Sequence, residues 1–156
     1  MARMAAEYRL SRHMAYVIGI ALGIAVGLFL RFSGFDRDRG VYPTILIVIP
    51  GYYVLFAAMA GSTSAIIIES VVMLGFSLVA VWGFAKNYWW VAAGLAGHGV
   101  WDFIHGGLIT NPGVPEFWPA FCSAIDLYLG AWVGVLLRQG SIPSPARRAA
   151  SSSSLQ

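Results

Sequence analysis

Five apolar runs, near residues 14–31, 44–60, 63–85, 88–110 and 117–137, take up most of this chain and leave only short polar breaks. A helix needs about 20 apolar residues to cross a hydrocarbon layer, within a range of about 17–25. Inside that layer every backbone N–H and C=O must be satisfied within the protein, so runs of this length dictate helices. The expected fold is therefore all-α, a polytopic membrane helix bundle with five transmembrane helices. The stretch 44–85 is too long for one helix, and Gly61-Ser62-Thr63-Ser64 offers the turn that divides it. The alternative is four spans, with 44–85 broken differently.

Composition agrees. Hydrophobic residues make up 58% of the chain and charged residues 11%, against about a quarter charged in soluble domains. One transmembrane bundle over 1–138 is expected, followed by a disordered tail over 139–156 that is rich in Ser, Ala and Arg and has little to bury. The partner implied throughout is the lipid bilayer. A net charge of +3 is no nucleic-acid signal, because the basic residues fall at span ends and in the tail. The start, Met1 to His13, resembles the charged region of a signal peptide. The apolar run after it ends at Arg31 without a small-residue cleavage pattern, so it reads as a retained first span. The single cysteine, Cys122, excludes an internal disulfide.

Five spans put the termini on opposite sides. Arg3, Arg9 and Arg12 fall on one side. Arg31, Arg37, Arg39, Lys86, Arg138, Arg147 and Arg148 fall on the other. By the positive-inside rule the second side, with the C-terminus, is cytoplasmic. Trp82, Tyr88, Trp89 and Trp90 read as an aromatic belt at that face. Gly19, Gly23 and Gly27 repeat the GxxxG spacing on one face of the first span, where small residues let helices approach closely. That face suits packing within the chain, or a homo-oligomer or larger membrane complex.

The chemistry-bearing residues lie inside the spans. His98, Asp102 and His105 fall within about a 60° arc of the fourth helix, at roughly 100° per residue. Glu69 and Asp126 lie in the neighbouring third and fifth spans. Counted from the breaks near 61–64 and 111–116, Glu69, Asp102 and Asp126 sit about 7, 8 and 9 residues deep, or roughly 10–14 Å. Three carboxylates at one depth in hydrocarbon repel one another unless a cation, shared protons or the imidazoles compensate. Asp102 and His105 form an i,i+3 pair, and bundle metal sites use the related Glu-x-x-His spacing. The expected metal ligands are Asp102, His105, Asp126 and Glu69, holding one divalent metal: zinc, iron or manganese. Glu69 and His98 are the expected catalytic groups, as general base or acid, with His98 also placed as a proton shuttle. Cys122, one turn before Asp126, reads as a thiolate ligand or nucleophile, or as a small buried hydrophobe. Tyr52 and Tyr53, beside Pro50-Gly51, suit packing, with one of them able to reach the site as a hydrogen-bond partner. Asp36 and Asp38, interleaved with Arg37 and Arg39, read as a solvated loop. A purely structural polar network that fixes helix register competes with the whole metal reading.

The block Gly97-His98-Gly99-Val100-Trp101-Asp102-Phe103-Ile104-His105, followed by Asn111 to Asp126, resembles a group of small bacterial integral membrane proteins with a GHGxWDxxH motif. That resemblance covers part of the second half of the chain and implies no activity. The membrane hydrolases that include alkaline ceramidases use a serine, an aspartate and three histidines, two of them as HxxxH around zinc. This chain departs from that pattern, with two intramembrane histidines and no HxxxH. No P-loop, dinucleotide fingerprint or HExxH occurs. The expected function is a metal-dependent membrane enzyme, a hydrolase or oxidoreductase acting on a lipid-like or other apolar substrate from one leaflet. The alternatives are a small ion, proton or metal transporter and an accessory subunit of a larger complex.

Overall fold

The computed structural model describes residues 2–142, with side chains from Leu10 onward. The remainder of the expected tail, 143–156, lies outside the described residues. Five helices follow in order: α1 (Ala2–Ser33), α2 (Val41–Met59), α3 (Thr63–Ala85), α4 (Trp89–Leu108) and α5 (Trp118–Arg138), with a short 3-10 turn at Phe35–Arg37. Among the described residues, four of these are long and apolar enough to cross a membrane: Leu10–Ser33 within α1, and all of α2, α3 and α5. α4 is the exception in hydropathy but not in length. Its 20 residues rise about 30 Å. It is less apolar because it carries His98, Asp102 and His105, all of which are buried. Its opposite face, Val100, Phe103, Ile104 and Leu108, is exposed.

The other helices share this inverted pattern. Glu69, His98, Asp102, His105, Ser123 and Asp126 are buried, whereas Leu28, Phe29, Leu55, Val71, Leu74 and Leu78 are exposed. Polar inside and apolar outside suits a bundle whose solvent is hydrocarbon.

The break between α2 and α3 falls at the expected turn. Gly61 has φ +66, a left-handed conformation that costs glycine little. Ser62 caps α3 by accepting from the Ala65 N–H at 3.4 Å. The α1–α2 connection differs from expectation. Asp36 is buried, 1% exposed, and bonded to Arg31 at 2.9 Å, so this part of the loop closes the end of α1 instead of being solvated. Nearby, Tyr88 donates to the Arg39 carbonyl and Arg39 donates to the Phe84 carbonyl. These bonds tie the α1–α2 and α3–α4 connections together. Trp82, Trp89 and Trp90 are exposed at this end, but Tyr88 is buried. At the end of α5, Gly140 takes φ +65, the Ser141 N–H donates to the Leu136 carbonyl, and Ile142 joins the apolar core.

α4 and α5 form the central antiparallel pair. α1 packs on α5, and α2 and α3 pack on each other and on α4. Glycine sets how closely α4 and α5 approach. A Cβ on Gly99 would lie 2.9 Å from the Ser123 carbonyl oxygen, and one on Gly130 would lie 2.7 Å from the Ala96 nitrogen. The Ser123 hydroxyl donates to the Gly99 carbonyl at 2.8 Å across the same contact. The three glycines of α1 are occupied within the chain. Gly19 faces the Phe121 backbone, and Gly23 and Gly27 face Tyr128 and Trp132. The intra-chain use of the GxxxG face is thus the one observed, and α5 takes the surface on which an outside partner would have docked.

Candidate metal centre

The close α4–α5 contact brings a short carboxylate within reach of an imidazole. His98 Nδ1 lies 2.7 Å from Asp126 Oδ2 and 3.7 Å from Asp102 Oδ2. All three residues are buried, and each offers one ligand atom within 4.8 Å of the others. Metal–ligand bonds of about 2.0–2.2 Å put neighbouring ligand atoms roughly 3.0–3.5 Å apart. The observed 2.7 and 3.7 Å separations bracket that span. The short contact is also a good hydrogen bond, the His98 N–H donating to Asp126. A proton there occupies the place that a cation can take.

The remaining oxygens are not satisfied. Asp102 Oδ2 and Asp126 Oδ1 are buried without a hydrogen-bond partner, as is His98 Nε2. Unpaired carboxylate oxygens in a low-dielectric interior are costly unless protonated or bound to a cation. Phe76 closes one side of the site, edge-on to the His98 ring with centroids 4.8 Å apart.

A second cluster lies one to two turns along α4. His105 Nε2 donates to Glu69 Oε1 at 2.8 Å, and Asn111 Nδ2 donates to the same oxygen at 2.9 Å. Asn111 also donates to the Tyr53 carbonyl. Of the four expected ligands, Asp102 and Asp126 come together, with His98 as their third member. His105 and Glu69 instead bond each other and lie outside that ligand group.

Tyr53 links the two clusters. Its hydroxyl donates to Asp102 Oδ1 at 2.7 Å, and its ring lies against His105, tilted by 36° with centroids 4.2 Å apart. Tyr52 faces outward against Trp118. Holding Oδ1, Tyr53 leaves Oδ2 of Asp102 toward His98. Such supporting partners typically account for 10–100-fold in metal affinity. Tyr53→Phe is therefore expected to weaken divalent-metal binding about 10–100-fold while the protein stays folded. A titration of the variant in detergent, paired with its thermal unfolding curve, checks this, and an unchanged affinity removes Tyr53 from the site.

The sequence did not mark Asn111 as a site residue, since it falls in the break near 111–116. The loop dips into the mouth of the bundle, pressing Gly113 against the Phe56 carbonyl with no room for a Cβ. Two clefts flank the centre. An apolar one of about 390 Å³ lies between α1, α2 and α5, and its lining includes Asp126 and Cys122. A polar one of about 340 Å³ is lined by Arg12, Tyr16, Asp102, Gly106, Gly107 and Glu116. Cys122 is a buried free thiol on the apolar cleft, outside the metal-capable group. The chain matches no family model, no curated protein and no solved structure.

Proposed function

We propose that this chain is an integral membrane metalloenzyme acting on a lipid-like substrate, with His98, Asp102 and Asp126 holding one divalent ion. The observation that carries the reading is the pair of buried carboxylate oxygens, Asp102 Oδ2 and Asp126 Oδ1, left without donors beside an imidazole. One nitrogen and two carboxylates form a borderline-to-hard donor set that suits zinc, iron or manganese. Three protein ligands leave positions open, as catalytic sites do and closed structural sites do not. An ion there supplies Lewis-acid polarisation of a substrate oxygen or a more acidic water. His98 serves as a ligand in this reading. The Glu69–His105 pair is the nearby acid–base couple, held in place by Asn111 and Tyr53.

The flanking clefts favour an enzyme over a transporter. A relay needs polar groups that continue to both surfaces. Beyond the centre, toward the end rich in arginine, the interior is closed by Leu46, Ala80, Val91, Leu95, Leu129 and Val133. The site therefore opens toward one half of the bundle. We place it in the leaflet away from the cytoplasm of a bacterial inner membrane, since Arg31, Arg37, Arg39, Lys86 and Arg138 gather at the other end.

The test uses phosphatidylcholine nanodiscs supplemented with a bacterial lipid extract, followed by mass spectrometry of the lipids. Metal-loaded protein is expected to convert at least one lipid species, and chelated protein and Asp126→Asn are expected to convert none. Identical lipid profiles with and without metal would remove the enzyme reading.

A further inference from the structure

The hydrogen bonds around Asn111 and Glu69 say where the protons lie in the second cluster. The Gly113 N–H donates to Asn111 Oδ1 at 3.3 Å, which identifies that atom as the amide oxygen. One hydrogen on Nδ2 goes to the Tyr53 carbonyl at 2.9 Å, and a carbonyl can only accept. The other goes to Glu69 Oε1 at 2.9 Å, so Oε1 accepts. His105 Nε2 meets the same oxygen at 2.8 Å. A carboxylate oxygen takes two donors at once, whereas a protonated Oε1 would have to donate to His105 while accepting from Asn111. The arrangement favours a proton on Nε2 and a lone pair on Nδ1.

His105 also lines a groove of about 290 Å³, together with Gly106, Thr110, Asn111, Pro115 and Glu116. Thr110 and Glu116 are exposed, so the groove opens at the loop end of the bundle. It shares Gly106, Glu116 and Pro119 with the polar cleft that reaches Asp102. Gly106 is its bare floor, since a Cβ there would meet nothing within 4 Å. Water suits a polar space of this size, at about 30 Å³ per molecule. His105 is 2% exposed, which admits a water molecule to the ring and excludes a bulky ligand. His98 lines neither groove.

We propose that His105 Nδ1 faces this groove and accepts the proton of a water molecule there, with Glu69 and Asn111 as the positioning residues that hold its other nitrogen. The O–H bond of the water breaks as the Nδ1–H bond forms, and the imidazolium charge lies against the Glu69 carboxylate. The electron pair of the water oxygen goes to the electrophilic atom of the substrate. Nδ1 then returns the proton to the leaving oxygen as its bond to that atom breaks, which makes the reaction a hydrolysis. Asp102 and His105 are three residues apart on α4, about 4.5 Å along the axis. The groove thus brings water within about one helical turn of Asp102. The use made of that water rests on the metalloenzyme reading, whereas the tautomer and the groove do not.

The experiment uses metal-free protein with isotope-labelled histidine in phosphatidylcholine nanodiscs, at one mildly alkaline pH. Nitrogen NMR distinguishes protonated from bare ring atoms, and magnetisation transferred from water marks those that touch it. His13→Gln and His105→Gln assign the signals of the three histidines. His105 is expected to carry its proton on Nε2 and to show a bare Nδ1 that receives magnetisation from water, while His98 receives none. Gly106→Leu fills the groove and removes the water signal, with the tautomer unchanged. Asn111→Leu leaves Oε1 with one donor, so Glu69 can hold the proton and donate to a bare Nε2, and the second tautomer appears. A wild-type His105 protonated on Nδ1, or a water signal unchanged in Gly106→Leu, would overturn the proposal. A single unchanged tautomer in Asn111→Leu would remove Asn111 from it. The expected spectra from a protein that then binds no added zinc or manganese would uphold the proton site and remove the metalloenzyme reading instead.

Discussion

Asp126→Asn is expected to lower divalent-metal affinity by more than about 100-fold, beyond the 10–100-fold usual for losing a supporting partner. The amide preserves the shape and can still accept a hydrogen bond from His98. What it removes is the negative charge and the oxygen that, in the proposed site, would share a cation with His98 and Asp102. Fold is expected to survive, because the neutral side chain relieves part of the burden of two carboxylates in one interior. Isothermal titration with zinc and manganese, alongside thermal unfolding, measures both terms. Retained affinity would mean that the ion sits elsewhere. A stabilised variant from a wild type that binds no metal would identify the cluster as a proton-sharing structural network.

Gly130→Val is expected to cost more than the roughly 1–3 kcal/mol typical of an overpacked core. Its Cβ would meet the Ala96 nitrogen at 2.7 Å and the Ala92 oxygen at 2.9 Å. Both are helix backbone atoms and cannot rotate away. α5 must move off α4, and the His98–Asp126 contact spans that seam. Stability and metal binding should therefore fall together. Gly106→Leu is the control, since nothing lies within 4 Å of its Cβ. Its melting temperature should match that of wild type, and it should fill the polar cleft. Equal melting temperatures for Gly130→Val and wild type would show that this contact does not set the α4–α5 spacing.

Five helices and their breaks were legible because span length and the Gly61–Ser64 turn are local signals. The burial of Glu69, His98, Asp102, His105 and Asp126 was legible for a similar reason: ionisable groups in hydrocarbon face inward. Their pairing was not. Counting inward from the loops set Asp126 level with Asp102. The loop Ile109–Phe117 folds into the mouth of the bundle, however, through Asn111 on Tyr53 and Gly113 on Phe56. The register of α5 on α4 sets Asp126 beside His98 as well as near Asp102, with Gly99 opposite Ser123 and Leu127. The i,i+3 spacing of Asp102 and His105 was real, but spacing along one helix does not say which neighbour each side chain meets. Glu69 and Asn111 capture His105, and Tyr53 captures one oxygen of Asp102. Those partners come from α2, α3 and a loop, and only the tertiary fold brings them together.

The most direct measurement of the central claim is elemental analysis with X-ray absorption on purified, metal-loaded protein, comparing wild type with His98→Ala and His105→Ala. The account predicts one ion per chain with nitrogen and oxygen neighbours including a single imidazole, lost in His98→Ala and retained in His105→Ala. Absence of stoichiometric metal, or an ion that survives His98→Ala and is lost in His105→Ala, would contradict it.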